Sequence, residues 1–283
     1  MNAGEPALIA AQAALDAQRA LDEDLGSGDV SAALIPAGRG RAHILCREAC
    51  VLAGAPWVEA CFRRLDPAIE LDWQAGDGQH VAANQTVLRL HGDLHALLSG
   101  ERTALNFLQT LSATATATAA CVAAVAGLGT RILDTRKTLP GLRLAQKYAV
   151  RCGGGDNHRF GLFDAVMLKE NHLAAAGGVA AALGEARRRF PDLPLILEVE
   201  TAEQLDEALA CGAASRILLD NFDLDALRRA VARVAGRVPL EASGGLDLDS
   251  LRAVAETGVD FISTGAITKH VRAVDLSMRM ENA

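Results

Sequence analysis

Hydrophobic positions follow two different patterns along the chain. Up to residue 93, short apolar stretches alternate with Gly and Pro, which indicates a mixed α/β unit. Apolar residues three and four apart predict helices over 6–25 and 55–65, the second opened by Pro56. Short stretches bounded by turn residues predict four strands, at 41–47, 49–53, 69–73 and 86–92. From Leu94 the spacing becomes helical and continues through a Thr/Ala-rich tract, which predicts a long, tightly packed helix.

Beyond residue 130 strands and helices alternate regularly. The predicted strands are 131–135, 164–169, 195–200, 216–221, 238–244 and 260–266, and the predicted helices are 174–190, 203–211, 224–234 and 249–257. The last four strands start 21 or 22 residues apart, which is the length of one βα unit. Apolar strands between amphipathic helices predict a parallel sheet covered by helices, and the lack of a GxGxxG sequence favours a barrel over a dinucleotide fold. With six countable strands, the fold class is α/β with an incomplete barrel.

Polar residues and glycines gather where the predicted barrel strands end. They are Arg136, Lys137, Lys169, Glu198, Asp220, Ser243, Gly244, Gly245, Thr264 and Gly265. A single charged residue at such a place can simply cap a strand, but these residues follow six separate strands. Because the carboxyl ends of parallel barrel strands form the catalytic face, we expect them to converge on one mouth.

The charge balance restricts the ligand of that mouth. The chain has 28 Lys and Arg against 35 Asp and Glu, a net charge of −7, which argues against a general nucleic-acid binder or a binder of anionic membranes. Residues 131–172, in contrast, carry eight Lys and Arg against four Asp and Glu, a local net charge of +4. The sequence therefore predicts an anionic ligand at this place.

The types of residue at the strand ends narrow the ligand further. The glycine-bearing ends SGG (243–245) and TGA (264–266) expose backbone N–H groups where barrels commonly hold phosphate. Glu198 and Asp220 offer carboxylates suited to sugar hydroxyls, or to a hydrated Mg²⁺ held partly through substrate phosphates. A phosphosugar that carries a diphosphate would use all of these groups.

Nothing in the sequence indicates secretion or membrane insertion. The N-terminal stretch lacks a basic start followed by an apolar core, and no apolar run approaches the roughly 18 residues of a membrane span. The six cysteines contain no CxxC pair, and Cys46 and Cys50 do not have the pattern of a zinc site. We therefore expect a reduced, soluble, cytoplasmic protein.

Nine stretches along the chain resemble one known family. They are EDLGSGDVS (23–31), CREACVLAG (46–54), GERTALNFLQTLS (100–112), ILDTRKTLPGLR (132–143), QKYAVRCGGGDNHRFGLFDAVMLKENH (146–172), LEVE (197–200), ILLDNF (217–222), EASGGL (241–246) and ISTGAITKHV (262–271). Single motifs among them are weak, but their order and spacing are specific. The chain resembles quinolinate phosphoribosyltransferase, which joins quinolinate to phosphoribosyl pyrophosphate with loss of pyrophosphate and carbon dioxide.

The resemblance implies an architecture and an assembly. It implies an N-terminal α/β sandwich over 1–112 and a six- or seven-stranded α/β barrel over 113–270, with a tail 271–283 that can pack back on the sandwich. It also implies Mg²⁺ as cofactor, held through substrate and water near Glu198 and Asp220 with no direct protein cage. The implied assembly is a homodimer with shared active sites.

The resemblance further assigns roles to individual residues. It implies a grip on the two quinolinate carboxylates by Arg136, His158 and Arg159 together with Arg102 of the neighbouring subunit. Catalytic roles beside the substrate carboxylate, diphosphate, ribose and Mg²⁺ are implied for Lys137, Lys169, Glu198 and Asp220. A grip on the 5′-phosphate is implied for Ser243, Gly244, Gly245, Thr264 and Gly265.

Two positions remain open within this resemblance. Glu200 shares a strand face with Glu198, and we assign the carboxylate role to Glu198 because EQL (203–205) fixes the register. Many relatives read GALTH where this chain reads GAITKH, so either Lys269 or His270 stands in for the usual His near the phosphate.

Three other functions compete with this interpretation. A paralogue acting on another aromatic acid would keep the phosphate machinery, and the joint presence of Arg136, His158 and Arg159 argues against it. A barrel aldolase would use Lys169 as a Schiff-base amine, which requires an apolar pocket that the surrounding charges do not favour. A non-catalytic phosphoribosyl sensor would not need Lys137, Lys169, Glu198 and Asp220 together.

Overall fold

A computed structural model describes residues 5–281 of the chain. The elements in chain order are α1 (Glu5–Leu25), β1 (Arg39–Cys46), β2 (Cys50–Val51), α2 (Ala55–Leu65), β3 (Glu70–Trp73), β4 (His80–Val81), β5 (Gln85–Asp93), α3 (Leu94–Ala124), β6 (Arg131–Leu133), α4 (Arg143–Cys152), β7 (Val166–Leu168), α5 (Glu170–Ala176), α6 (Val179–Arg189), β8 (Leu195–Val199), α7 (Ala202–Cys211), β9 (Arg216–Asp220), α8 (Leu224–Val234), β10 (Leu240–Ser243), α9 (Leu251–Ala255), β11 (Phe261–Ser263), α10 (Ala266–Lys269) and β12 (Leu276–Met280). A single 3-10 turn, Ala32–Leu34, precedes β1.

The chain forms two compact units. The first comprises the described residues up to Ala119, the segment Leu139–Gly154 and the described residues from His270, and the second comprises Ala120–Thr138 and Gly155–Lys269. The predicted barrel, 113–270, includes α4, whereas in the structure α4 groups with the first unit. The reason is apolar burial, since Ala145 and Ala149 of α4 are fully buried in the core of that unit.

The first unit is built on an antiparallel sheet in the order β12-β1-β5-β3. Residues Ala42, Ile44 and Cys46 alternate along β1 and are buried, so one face of the strand packs on the core. Helix α2 begins and ends at the predicted residues and buries Trp57 and Phe62. The C-terminal strand β12 pairs with β1, so the end of the described chain returns to the first unit.

The second unit is built on a six-stranded parallel sheet in the order β6-β11-β10-β9-β8-β7. Each strand lies beside its neighbour in the chain, except that β6 and β7 stand at opposite edges. This is the strand order of an α/β barrel that is open between its first two strands, and it confirms the predicted fold class. A single parallel bridge between Leu133 and Asp156 adds one residue pair at the β6 edge.

Two helix predictions in the second half of the chain were incomplete. The helix predicted over 174–190 is two helices, α5 and α6, because Gly177 adopts a left-handed conformation (φ 85°) and ends the first. Helix α4 was not predicted, because its apolar residues Ala145 and Ala149 are small and give a weak periodic signal.

Helix α3 bears on the prediction that no apolar run approaches the length of a membrane span. Helix α3 has 31 residues and is long and apolar enough to cross a membrane by length and composition alone. Half of its most apolar window is buried inside the protein. Leu97, Leu105 and Leu108 of this helix are buried in the core of the first unit.

Candidate active site

A pocket with an empty volume of about 570 Å³ opens at the carboxyl ends of the barrel strands. It is lined by Thr135, Arg136, Lys137, His158, Arg159, Met167, Lys169, Glu198, Leu218, Glu241, Ser243 and Ser263. Five of the ten strand-end residues that were expected to meet at one mouth are among them, namely Arg136, Lys137, Lys169, Glu198 and Ser243. His158 and Arg159, which the family resemblance adds, line the pocket as well. The other five strand-end residues, Asp220, Gly244, Gly245, Thr264 and Gly265, are not among the residues that line it.

The register of the parallel strands explains which side chains face the pocket. Glu198 lies opposite Leu218, and Leu218 lies opposite Glu241, so these three side chains share one face of the sheet. Residues two positions further along, such as Ser243, share the same face nearer the mouth. This face of the sheet therefore carries apolar Leu218 between the carboxylates of Glu198 and Glu241, and these side chains point toward the pocket.

Lys169 and Glu198 form the central ion pair of the pocket. The ammonium group of Lys169 donates a hydrogen bond to Oε2 of Glu198. The Glu198 side chain is 8% exposed, whereas that of Lys169 is 41% exposed. The Glu198 carboxylate is therefore enclosed by the protein, whereas the Lys169 ammonium group can also contact an anion that enters from solvent.

The loop that carries His158 and Arg159 is held by two carboxylates. Buried Asp134 accepts hydrogen bonds from the Asn157 side-chain amide (2.7 Å) and from the backbone N–H of His158 (2.8 Å). Asp164 accepts the backbone N–H groups of residues 160 and 161 at 2.7 and 2.9 Å. Charge-assisted hydrogen bonds of this kind are strong, so the loop is held in place on both sides of Arg159.

Arg159 lies in an environment that is short of negative charge. Partial burial and the neighbouring guanidinium of Arg136 lower the pKa of Arg159, and Asp164 offsets this only in part. Nη1 of Arg159 donates to the carbonyl of Ala165 at 3.3 Å, whereas its Nε is buried without a hydrogen-bond partner. An anionic ligand between the two guanidinium groups would relieve this repulsion and supply the missing acceptor.

His158 is almost completely buried and contacts protein groups on both sides of its ring. Its Nδ1 accepts the backbone N–H of Arg159 at 2.7 Å, and its Nε2 lies 3.5 Å from Oε2 of Glu241. The same Glu241 oxygen accepts a hydrogen bond from Nη1 of Arg216 at 2.8 Å. The Glu241 side chain is fully buried, so its charge is compensated by these groups inside the barrel.

Two glycines at the strand ends are required by close approaches. Gly244 has φ 107°, and a Cβ at this position would lie 2.8 Å from the backbone nitrogen of Asn221. A Cβ at Gly265 would lie 2.8 Å from Cδ of Lys137, so this glycine leaves room for the lysine stem. Both glycines therefore bring backbone close to polar groups that surround the mouth.

The remaining predicted phosphate residues differ in their placement. Gly245 is exposed and has φ 59°, next to Ser243, which lines the pocket. Thr264 is buried, and its hydroxyl donates to the carbonyl of Leu246 at 3.3 Å. Its neighbour Ser263 lines the pocket instead, because adjacent residues of a strand face opposite sides.

The three acidic candidates, Glu198, Glu200 and Asp220, differ in their positions relative to the pocket. Asp220 ends β9, and one of its oxygens accepts the side-chain amide of Asn221 at 2.8 Å. Glu200 is exposed and belongs to a different groove, which is lined by residues of α7 and α8. Of the two glutamates, only Glu198 lines the pocket at the mouth.

Arg102 and the pair 269–270 are not among the residues that line the pocket. Arg102 lies on α3 in the first unit, with a 61% exposed side chain whose contact with Glu101 is long, at 3.9 Å. Lys269 ends α10, and both Lys269 and His270 are exposed.

Several residues that line or support the pocket were not predicted from the sequence. Thr135, Glu241 and Ser263 line the pocket, and Asp134 and Asp164 support its loop. Glu241 and Ser243 are two residues apart on one strand, so strand alternation could have found Glu241. No local pattern marks Asp134 or Asp164, because their role depends on a loop that packs beside them.

Carboxylates at the strand ends are the candidate groups for a divalent cation. In the part of the chain that the structure describes, no group of three or more His, Cys, Asp or Glu side chains could hold a metal ion. Glu198 and Asp220 nevertheless provide carboxylate oxygens on adjacent strands. Such a pair fits Mg²⁺ that is held through substrate phosphates and water near these two carboxylates.

Comparison with protein families gives two matches that together cover most of the chain. Residues 29–112 match the model described as quinolinate phosphoribosyl transferase, N-terminal domain, and residues 114–279 match the corresponding C-terminal domain. The probable nicotinate-nucleotide pyrophosphorylase [carboxylating] of Synechocystis sp. is 45% identical over 269 residues, which are 93% of this chain and 90% of that protein. Quinolinate phosphoribosyltransferase [decarboxylating] 1 of Nicotiana glauca is 40% identical and covers 93% of this chain and 81% of its own length.

Solved structures agree with these matches. The nicotinate-nucleotide pyrophosphorylase of Francisella tularensis superposes with a TM-score of 0.94 at 43% identity, over 96% of this chain and 97% of that chain. The corresponding protein of Ehrlichia chaffeensis gives a TM-score of 0.89 at 34% identity, over 94% and 97% of the two chains.

Proposed function

The chain belongs to the quinolinate phosphoribosyltransferase family and transfers the phosphoribosyl group of phosphoribosyl pyrophosphate to quinolinate with decarboxylation; we propose that the pocket at the barrel mouth is the site of this reaction. The products are nicotinate mononucleotide, pyrophosphate and carbon dioxide, a step of de novo NAD synthesis. The observation that carries the site assignment is the gathering of Arg136, Lys137, Arg159 and Lys169 around one pocket.

Arg136 and Arg159 are the proposed grip on the quinolinate carboxylates. Two neighbouring guanidinium groups offer planar forks that match carboxylate geometry. The lowered pKa of Arg159, caused by burial and by Arg136, supports this role because it reflects uncompensated positive charge. His158 is proposed to belong to the same grip, and its buried ring borders the pocket.

Lys137, Lys169, Glu198 and Asp220 are the proposed catalytic residues. In the free protein Lys169 is paired with Glu198, so an arriving carboxylate or diphosphate would compete with Glu198 for the ammonium group. Released from this pair, Glu198 would stabilise the positive charge that develops on the ribose. Ser243, Gly244, Gly245, Thr264 and Gly265 are proposed to hold the 5′-phosphate near backbone N–H groups.

The reaction needs positioning and charge stabilisation rather than a protein nucleophile. The pyridine nitrogen attacks the anomeric carbon while the bond to pyrophosphate breaks, and the transition state has oxocarbenium character. The cationic side chains would align the anionic substrates and stabilise the leaving diphosphate. Once the ring nitrogen is quaternary, its positive charge stabilises the carbanion that remains when the adjacent carboxylate leaves as carbon dioxide, and a proton from water then adds to that carbon to give nicotinate mononucleotide.

Mg²⁺ is proposed as the cofactor. It would be held through phosphate oxygens and water, with Glu198 and Asp220 nearby to accept hydrogen bonds from that water. When bound, it supplies positive charge at the diphosphate.

A homodimer with shared sites is proposed from two exposed apolar features. Val30 and Leu34 are 80% and 83% exposed, and the segment that carries them is tied to α3 because Asp29 accepts the hydroxyl of Ser99 at 2.9 Å. The segment with this exposed apolar surface therefore contacts α3 at Ser99, three residues before Arg102. Burial of that surface by a second copy would carry the Arg102 guanidinium into the contact.

The second feature lies on the barrel unit. Leu162 and Phe163 are 73% and 78% exposed at the tip of the loop that begins with Arg159. An exposed apolar tip beside the quinolinate grip supports the proposal that a partner subunit covers this side of the pocket and contributes Arg102 there.

Two alternative functions are disfavoured by specific contacts. A Schiff-base aldolase would need a neutral, desolvated Lys169, but this lysine is ion-paired with Glu198 and 41% exposed. A phosphoribosyltransferase for a monocarboxylate would not need the adjacent Arg136 and Arg159.

We also propose that the protein is cytoplasmic and acts without nucleic acid or membrane. The net charge of −7 and the burial of α3 support this view. Some plant relatives carry mitochondrial or chloroplastic in their names, so the same enzyme type is also assigned to other compartments.

The function is tested by a stoichiometric assay. Purified protein is incubated with quinolinate, phosphoribosyl pyrophosphate and Mg²⁺, and nicotinate mononucleotide, pyrophosphate and carbon dioxide should appear in equal amounts. A parallel incubation with nicotinate should give no turnover. Equal turnover of nicotinate, or none of quinolinate, would contradict the assignment.

A further inference from the structure

We propose that Glu241 is a positioning residue for the quinolinate grip, and that it acts by holding the His158 ring against the backbone of Arg159. Glu241 is fully buried on β10, below the mouth of the pocket. Its Oε2 lies 3.5 Å from Nε2 of His158. The inference rests on the proposed function, because it assumes that Arg159 binds quinolinate.

The two sides of the His158 ring have different roles. Nδ1 accepts the backbone N–H of Arg159, so this nitrogen carries no proton and the ring proton lies on Nε2. Nε2 lies 3.5 Å from Oε2 of Glu241, which is a polar contact longer than an ordinary hydrogen bond. The ring therefore lies between a backbone donor and a buried carboxylate, and its part in the grip is to fix the position of Arg159.

Arg216 and Phe261 hold Glu241 itself. Nη1 of Arg216 donates to Oε2 of Glu241 at 2.8 Å, and the Arg216 guanidinium lies over the ring of Phe261, 4.6 Å from its centroid. Burial by itself raises the pKa of Glu241, but the contacts with His158, Ser263 and Arg216 lower it below the ordinary value. These contacts favour the ionised form of the Glu241 carboxyl group and hold it beside the His158 ring.

This arrangement separates support from binding within the site. Asp134 fixes the N–H of His158 and Asp164 fixes residues 160 and 161, whereas the N–H of Arg159 between them is bonded to the His158 ring. Loss of the Glu241 charge should free the ring and loosen this link. Quinolinate binding should then suffer more than phosphoribosyl pyrophosphate binding.

The test uses Glu241→Gln, which keeps the volume and removes the charge. We expect KM for quinolinate to rise about tenfold, with a much smaller change in KM for phosphoribosyl pyrophosphate. Amide hydrogen exchange should accelerate in the peptide that contains Arg159 but not in peptides from the barrel strands. In ¹H–¹⁵N spectra, the ring N–H signal that is missing in His158→Gln should shift or broaden in Glu241→Gln.

The control and the double variant separate this role from general destabilisation. Asp206→Asn removes an exposed ion pair with Arg233 in the same unit and should change none of these readouts. If Glu241→Gln does not fold, Glu241→Gln/Arg216→Gln removes both charges and should show the same selective loss. Parallel rises in both KM values, or an unchanged His158 signal, would overturn the inference. Because the ring signal is measured without substrate, that result is distinct from a failure of the proposed function, which would appear as absent quinolinate turnover in the wild type.

Discussion

Replacement of Arg159 by alanine should weaken quinolinate binding selectively. The Arg159 side chain is partly buried, and its Nε has no hydrogen-bond partner among the described residues, so a bound carboxylate would be its main anionic contact. Truncation of one partner of a buried charge pair costs about 2–5 kcal/mol. Removal of Arg159 also relieves its repulsion with Arg136, which favours the lower half of this range. About 2–3 kcal/mol corresponds to a roughly 30- to 150-fold higher Kd.

Isothermal titration calorimetry can measure this change with each substrate separately. The Kd of phosphoribosyl pyrophosphate should change by less than about threefold, since its proposed contacts lie at Lys137, Lys169 and the glycine-bearing strand ends. Arg159→Lys should recover only part of the affinity, because an ammonium group restores the charge but not the two parallel N–H donors. Arg228→Ala, which removes an exposed ion pair on α8, serves as the matched control.

Two results would refute the proposed role of Arg159 in binding a quinolinate carboxylate. If phosphoribosyl pyrophosphate lost more affinity than quinolinate, Arg159 would belong to the phosphate side of the pocket. If the lysine variant bound quinolinate as tightly as the wild type, the forked geometry of the guanidinium would be irrelevant.

Three further predictions concern the dimer, the phosphate side and the buried carboxylate. Homodimers of Arg102→Ala and of Lys169→Ala should both be nearly inactive. Co-refolded mixtures of the two variants should recover roughly a quarter of wild-type activity, because about half of the dimers are mixed and each mixed dimer has one intact site. Proven heterodimers that stay inactive would exclude a role for Arg102 in the partner's site. Gly244→Ala should raise KM for phosphoribosyl pyrophosphate and lower the free energy of unfolding by about 1–3 kcal/mol, because φ 107° and the backbone of Asn221 oppose a Cβ; an unchanged KM and stability would count against a tight strand end. The pKa of Glu241 is lowered from 4.5, so the wild-type free energy of unfolding should decrease as the pH falls below 4.5 toward the lowered pKa. Urea titrations at several pH values should show a smaller decrease for Glu241→Gln. An equal decrease with pH in both proteins would contradict an ionised Glu241 whose charge is compensated.

The barrel could be predicted because its evidence is local and repeated. Strands of the second unit are apolar runs bounded by turns, and their spacing of one βα unit leaves few other topologies. The polar residues at the strand ends followed from the same pattern, since parallel strands bring their carboxyl ends to one face. Lys169, Glu198 and Ser243 therefore met at the pocket as expected.

Details that depend on packing between distant segments were not visible in the sequence. Helix α4 lies between two barrel strands in the chain, yet it packs in the first unit because its small apolar face fits the core there. Ser263 replaces its neighbour Thr264 at the pocket, and the difference of one residue is set by strand register rather than by residue type.

The sequence alone determined the fold class, the family resemblance and the cationic character of the mouth, because periodicity, motif order and local charge are properties of the chain itself. Only the tertiary structure decided how those charges are paired. It joined Lys169 to Glu198, and it placed Glu241 of β10 against His158 of a loop that is 83 residues earlier in the chain. Such pairs form because burying a charge without a partner is costly, and the partner is selected by proximity in the folded protein, which no local pattern encodes.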